Sequence, residues 1–365
     1  MRLPCSSRFV NRVCHIGATV AFIVWPGLAL AHVKWFAPYD IVSDPRSLAE
    51  TWTPEFVAIA FGSSLLVFVF CLLERTVVGA ALTDTLEWLF ARFRSRTDDF
   101  YRGLTGAFFV ALFTLGNIIM TPELRTTAAF VPWLQAAIAA GMFWNATRIF
   151  SALGILILYC VGVADYGIYH MLDYPIFLGI AVYHALTSLK SNFFKLRPLD
   201  CSRWLAAITL MWASIEKWAY PQWSYALLQT HSDITFGISP SQYMILAGFV
   251  EFSLAFGLIW TPLVRRLSAL VLTVTFVSAV IDFGRVDAIG HLLIVLILVF
   301  VAADDGPAIE RRPLSVIFLY FGALAFFFDI YYGIHWLSYD TAGLALVDHV
   351  TSAISGAVRA VHLSL

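Results

Sequence analysis

The sequence predicts an all-α protein, a polytopic membrane bundle of about ten transmembrane helices. Hydrophobic residues make up 60% of its 365 residues and charged residues only 13%, too few to coat a water-soluble globule of this size. The charges stand in short clusters between apolar runs of roughly 20 residues, the length that crosses a bilayer. Because 24 acidic and 23 basic residues nearly cancel and form no basic face, the composition excludes a nucleic-acid partner.

Ten apolar runs are long enough to be spans, since tilt and snorkelling let slightly shorter runs serve. They cover residues 54 to 73, 103 to 120, 127 to 144, 149 to 168, 174 to 189, 204 to 220, 243 to 260, 266 to 283, 288 to 303 and 314 to 333. Residues 32–101 are therefore predicted to form an outer segment, one span and a basic cytoplasmic loop. Residues 313–365 are predicted to form the last span and an amphipathic C-terminal helix.

The first 31 residues have the layout of a secretory signal peptide. Three arginines precede an apolar stretch that ends near Leu30, and Ala29-Leu30-Ala31 matches a small-residue cleavage site. The alternative is an uncleaved first span. Cleavage would leave His32 as the first residue, and its free amine and imidazole make it a candidate copper ligand if another segment supplies a second imidazole.

Lysine and arginine residues are distributed unequally across the proposed membrane. With the extreme N-terminus inside, 17 of the 23 lie on the cytoplasmic side and 6 on the other. Basic residues are enriched in cytoplasmic loops. The pattern predicts a multi-pass inner-membrane protein whose mature N-terminus and C-terminus are periplasmic.

An internal duplication is the most informative feature of the sequence. Residues 148–167 match residues 265–284 at a constant offset of 117, with the arginine, serine, aspartate and glycine in register. One helix upstream, Arg102 and Arg203 each introduce a span at an offset of 101. An even number of spans in each copy gives both the same orientation. The chain is therefore predicted to contain two parallel four-helix units, residues 102–189 and 203–303.

The second unit carries a set of short motifs: a lysine and a proline at the end of its first helix (Lys217, Pro221), a glutamate in a glycine-containing second helix (Gly248, Glu251, Gly257), a basic turn (Arg265, Arg266) and a histidine opening the fourth (His291). This pattern resembles the DoxX family of four-helix membrane proteins, and the first unit resembles it more weakly. DoxX-like proteins are associated with quinone-linked oxidoreductase complexes. The resemblance implies a quinone cofactor and a membrane or periplasmic partner that supplies electrons.

Ionisable side chains inside a bilayer are costly and usually face a bundle interior or a wet cavity. In the second unit they cluster toward one end of the helices. The predicted catalytic residues are Glu251, His291, Lys217, Glu216 and Asp282, and the predicted cofactor-binding residues are Arg285, Asp287 and Trp218. We expect Glu251 and His291 to face a common cavity with Lys217 within reach. The alternative is that these charges only pair to lock the bundle.

The sequence leaves several functions open. A carboxyl beside a histidine can donate or accept the protons that quinone reduction requires, which favours a membrane subunit of a quinone-linked oxidoreductase. The alternatives are a transporter or copper-handling membrane protein that uses the same pocket, or an assembly subunit without chemistry of its own. The five cysteines include no C-x-x-C pair, and no flavin or haem motif is visible, so electrons would come from a partner.

Overall fold

The structure is a computed structural model that describes residues 33–189, 196–235, 237–306 and 312–347. In these ranges it is helical, and the only β-type pairing is an isolated bridge between Ile118 and Arg125. The predicted signal peptide at residues 1–31 and the candidate copper ligand His32 lie outside the described residues. So does most of the predicted C-terminal amphipathic helix.

The α-helices follow one another in the order α1 Leu48–Thr51, α2 Pro54–Glu74, α3 Val77–Arg94, α4 Thr97–Leu115, α5 Phe130–Gly141, α6 Arg148–Met171, α7 Pro175–Leu189, α8 Pro198–Ala219, α9 Gln222–Thr230, α10 Pro240–Leu258, α11 Pro262–Ala303 and α12 Ser315–Tyr339. Short 3-10 helices cover Val33–Trp35 and Ser232–Thr235. The local sequence determines where the helices begin. Thr53 and Ser239, for example, each cap a helix whose first residue is proline. Proline suits this position, because the backbone N–H that it lacks would have no partner within the helix there.

Five of these helices are long and apolar enough to cross a membrane: α2, α6, α10, α11 and α12. Helices α5 and α7 are apolar but shorter. Such helices fit a lipid bilayer environment. The count of ten spans is not confirmed, because two predicted spans lie in the single long α11, and α4 and α8 begin with acidic residues in their first turns.

The segment after α2 differs from the sequence prediction. We expected a basic cytoplasmic loop, but residues 77–94 form helix α3, which Thr76 caps by accepting a hydrogen bond from the backbone of Gly79 (3.2 Å). Helix α3 packs on α11, where Glu87 accepts a hydrogen bond from Arg266 (3.0 Å). Tertiary packing therefore stabilises a helix whose sequence is too polar to be recognised as a span.

Helix α11 reverses direction at a kink. Its 42 residues would extend about 60 Å if straight. However, Arg265 and Arg266 near its start donate hydrogen bonds to the carbonyl of Asp304 just beyond its end, at 3.2 and 3.0 Å. The reversal occurs at Gly284, which has φ +73° and ψ −147°. The two halves of α11 therefore run antiparallel, as a hairpin.

Helices α6 and α7 form a similar hairpin. Helix α6 is interrupted at Gly167, with φ +82°, and α7 returns along it. At the far end, Arg148 at the start of α6 donates to His184 Nδ1 of α7 (2.8 Å), and His184 Nε2 lies 3.2 Å from Thr105 Oγ1. His184 is thus a satisfied core histidine. We call the end of the bundle with Gly167 and Gly284 the kink end, and the opposite end, with Arg148, Arg265 and Arg266, the arginine end.

Candidate functional site

Lys217 and Glu251 form an ion pair between α8 and α10 at the kink end. Lys217 Nζ lies 2.8 Å from Glu251 Oε2, and the two side chains are 15% and 17% exposed. Helix α8 ends two residues after Lys217, where the Tyr220 N–H bonds the carbonyl of Glu216 and Pro221 follows. The pair is therefore held at a helix end, partly shielded from solvent.

Asp287 and His291 lie one turn apart on the second half of α11. His291 Nδ1 is 3.0 Å from Asp287 Oδ2, and Asp287 is fully buried. The imidazole lies between the rings of Trp35 and Phe276, at centroid distances of 4.8 and 4.6 Å. Gly290 makes this packing possible, because a Cβ there would lie 2.0 Å from the Trp35 ring. The histidine is thus held by two aromatic rings and by the carboxylate of Asp287.

One cavity joins these two pairs. It has a volume of about 50 Å³. Its polar wall includes Lys217, Glu251 and His291 from the second predicted unit, and Asp173 and Thr121 from the first. A space of this size with several polar neighbours can hold a few water molecules. The structure therefore brings Glu251, His291 and Lys217 to a common cavity, while the catalytic roles assigned to them stay predictions.

The other five predicted site residues of the second unit do not line this cavity; they are Glu216, Asp282, Arg285, Asp287 and Trp218. Asp282 and Arg285 flank the kink at Gly284 and their side chains are exposed. The chain turns over at this glycine, so residues beside it face outward. Asp287 reaches the cavity only through His291. Glu216 points away from it, because successive residues of a helix face directions about 100° apart.

Trp218 is a core residue. It is 2% exposed, its Nε1 donates to the carbonyl of Ile245 (3.2 Å), and its ring packs against Phe249 at 4.6 Å. Gly248 provides the room, since a Cβ there would lie 2.3 Å from Trp218 Nε1. An aromatic side chain beside an ionisable pair can pack into the bundle, as Trp218 does, and the cofactor-binding role assigned to Trp218 stays a prediction.

Glu216 belongs to a second cluster, centred on Lys34. Lys34 Nζ contacts Asp173 Oδ2 and lies 2.5 Å from Glu216 Oε2. The Lys34 side chain is 1% exposed, and its ammonium lies over the rings of Tyr39 and Trp223. Burial alone would lower the pKa of Lys34, but the carboxylates of Asp173 and Glu216 outweigh it and raise that pKa well above its usual value. The lysine is therefore a charged residue buried among acids.

Glu123 and His170 extend this cluster. His170 Nε2 lies 3.1 Å from Glu123 Oε1, and the hydroxyl of Tyr174 donates to the same oxygen. One ligand atom each from Glu123, His170 and Asp173 lie within 4.8 Å of one another. This is the kind of residue group that can hold a metal ion, and it is formed by residues other than the predicted His32.

Sequence reasoning missed most of this second cluster. His170 and Asp173 were recognisable as ionisable residues near the end of α6, but Glu123 lies in a loop and Lys34 in a segment 139 residues before Asp173. A lysine shortly before an aromatic residue also resembles an ordinary interfacial anchor. The one available signal was the number of carboxyl groups at the kink end, which is larger than the number of lysines there.

The two clusters place acids and bases close together at the kink end, and Asp173 of the second cluster also lines the cavity. Each basic group faces a carboxylate, so protons can be exchanged within hydrogen-bonded pairs or through water. The low dielectric of a helix bundle strengthens these interactions and disfavours unpaired charge.

In comparisons with known proteins, no family model, no curated protein and no solved structure matches this chain.

Proposed function

We propose that this protein is the membrane subunit of a quinone-linked oxidoreductase of the cell inner membrane, and that its cavity delivers protons to the quinone. The observation that carries the proposal is the convergence of two acid–base pairs, Lys217–Glu251 and Asp287–His291, on one cavity within a bundle of apolar helices. Quinone reduction needs protons delivered alongside electrons, and buried pairs of this kind can supply them.

Each residue has a distinct role in this proposal. Glu251 and His291 exchange protons with the quinone through cavity water, Lys217 holds the Glu251 carboxylate in place, and Asp287 orients the imidazole of His291. The cavity has room for water but not for a quinone ring. We therefore place the ring beside it, at the membrane side of the helices. Electrons come from a membrane or periplasmic partner protein.

We further propose that the helices form two parallel DoxX-like units. Two matching close contacts between a glycine and a serine support this. Ser151 Oγ lies 2.2 Å from where a Cβ on Gly141 would be, and Ser268 Oγ lies 2.1 Å from the equivalent point on Gly257. The serines are 117 residues apart and the glycines 116. The same close approach of neighbouring helices thus occurs at matching positions.

The first helices of the two units also correspond. Asp99 pairs with Arg102 at 3.4 Å, and Asp200 pairs with Arg203 at 3.0 Å, both three residues apart and at an offset of 101. The arginine end holds many of the basic residues that the sequence predicts to be cytoplasmic. We accordingly place the arginine end in the cytoplasm, and the kink end and both termini of the mature chain in the periplasm.

The offset of 116 residues also pairs Glu251 with Gln135 of the first unit. Gln135 is fully buried and its amide donates to the carbonyls of Ile118 and Ile119, at 2.6 and 3.0 Å. A glutamine at this position therefore serves the fold without an exchangeable charge. This contrast supports a role for Glu251 beyond holding helices together.

The test uses the full chain, purified from membranes with its lipids. We expect quinone in the lipid extract, and we expect Glu251→Gln to abolish quinone-dependent electron transfer while leaving the folded protein in the membrane. Glu87→Gln is the matched control, since it makes the same change in an ion pair with Arg266 at the arginine end. A Glu251→Gln protein with full activity, or an extract without quinone, would contradict the proposal.

A further inference from the structure

We propose that Glu123, His170 and Asp173 form a binding site for a divalent transition-metal ion of the zinc class. The proposal does not rest on quinone chemistry. One ligand atom from each residue lies within 4.8 Å of the other two, a separation that a single ion can bridge. The three residues come from the loop before α5, the end of α6 and the turn before α7, so the fold alone brings them together.

The carboxyl groups of the cluster favour a bound cation. The carboxyl groups of Glu123, Asp173 and Glu216 are buried, with side-chain exposures of 2%, 2% and 10%. Lys34 is the ammonium group that contacts two of them. Ionised carboxylates left uncompensated in a low-dielectric interior are costly. A divalent cation held by Glu123 and Asp173 would offset the charge of these two carboxylates while His170 stays neutral, as a metal ligand must be.

An unused oxygen atom points to the same site independently. Lys34 engages Asp173 Oδ2, whereas Asp173 Oδ1 is buried and has no hydrogen-bond partner among the residues that the structure describes. Asp173 is 2% exposed, so bulk water does not satisfy this atom. Buried carboxylate oxygens are normally hydrogen-bonded or bound to a metal. A metal held by Glu123 and His170 would satisfy it.

The donor set also indicates which metal would bind. Two carboxylates and one imidazole suit Zn²⁺, Mn²⁺ or Fe²⁺, whereas Mg²⁺ and Ca²⁺ prefer oxygen ligands alone. Neighbouring groups hold the ligands in place, since the Tyr174 hydroxyl donates to Glu123 and Lys34 fixes the second oxygen of Asp173. Such outer partners orient ligands and raise metal affinity.

The experiment measures zinc binding to the chelator-treated, detergent-purified full chain by equilibrium dialysis with elemental analysis. We expect one high-affinity Zn²⁺ per chain that excess Mg²⁺ does not displace, together with a Zn²⁺-dependent rise in Tm. Glu123→Gln and Asp173→Asn should each weaken binding at least about tenfold and remove the rise in Tm, because each removes a ligand charge with little change of shape.

His231→Ala is the matched control, because His231 is partly exposed and lies outside the cluster. It should leave zinc binding unchanged. If His170→Ala fails to fold, the two amide variants still decide the question, since Asp173→Asn keeps an oxygen for Lys34. Absence of bound zinc in the unaltered chain, or a zinc affinity in both amide variants equal to that of the unaltered chain, would overturn the proposal. Neither readout depends on quinone.

Discussion

Gly167 and Gly284, 117 residues apart, both hold the left-handed backbone at the point where a long helix kinks, with φ +82° and +73°. An exposed aspartate precedes each glycine by two residues, Asp165 and Asp282. An L-residue with a Cβ is disfavoured in this conformation by roughly 1–3 kcal/mol. A glycine in the sequence therefore permits the kink at the same place in each half of the chain.

Substitution at the kinks should therefore destabilise the protein. We expect Gly284→Ala and Gly167→Ala each to lower the free energy of unfolding by about 1–3 kcal/mol, measured by denaturation in detergent. Gly322→Ala is the control, since Gly322 lies within α12 with open space around it and alanine favours a helix there. Equal stability changes at Gly284 and Gly322 would contradict the prediction.

The close glycine–serine contacts predict a second pair of effects. Gly141→Ala places a methyl group against Ser151 Oγ, which donates to the carbonyl of Ile138 (2.9 Å), and should cost about 1–3 kcal/mol through overpacking. The double variant Gly141→Ala/Ser151→Ala should recover part of that loss, because the nearest remaining side-chain atom is then 3.5 Å away. Strictly additive losses in a double-mutant cycle would show that the two residues do not interact.

Removal of Lys34 should destabilise the kink end strongly. In Lys34→Met, Asp173 and Glu216 lose their ammonium partner, and breaking a buried ion pair in this way costs about 3–5 kcal/mol. Adding Glu216→Gln to Lys34→Met should restore part of the stability by removing one unpaired charge. Thermal unfolding of the three proteins in nanodiscs measures this, and a double variant no more stable than Lys34→Met would argue against buried charge as the cause.

The arginine end should lose stability in acid. Burial raises the pKa of Asp304, but hydrogen bonding to Arg197 and the charges of Arg265 and Arg203 outweigh it and hold that pKa below its usual value. The contribution of Asp304 is therefore fully present above its unfolded pKa of about 3.9 and is lost as pH falls through the lower folded value. We expect Asp304→Asn to be less stable at neutral pH and to unfold with a weaker acid dependence. If the stability of both proteins depended on pH in the same way in acid, Asp304 would not be the group responsible.

The mature chain should begin at His32. The sequence Ala29-Leu30-Ala31 follows an apolar run with arginines before it, which is the pattern of a cleaved signal peptide. Intact mass spectrometry of the membrane-extracted protein measures this directly. A dominant species that retains Met1 would contradict it and would remove the free amine on which a copper site at His32 depends.

Much of the architecture could be predicted from local patterns. The predicted span at residues 54 to 73 and helix α2 agree to within one residue, because a capping threonine, a proline and an unbroken apolar run all lie in the local sequence. Helix α3 was missed because its polar sequence is stabilised by contact with α11. The burial of Trp218 was not predicted, because its neighbours, Glu216 and Lys217, face the cluster and the cavity while its own ring faces the core.

Composition and the length of the apolar runs by themselves determined that this is an all-helical protein suited to a bilayer. The preference of a segment for lipid depends on the hydration of that segment's own side chains, so it can be judged one segment at a time. The offset of 117 residues put Gly167 and Gly284 in register in the sequence, and the structure shows that a kink lies at each. Only the tertiary structure decided that Lys34 lies among Asp173 and Glu216, and that Glu123 joins His170. These contacts join residues far apart in the chain. Their formation depends on how the helices pack and where loops return, which no local pattern encodes.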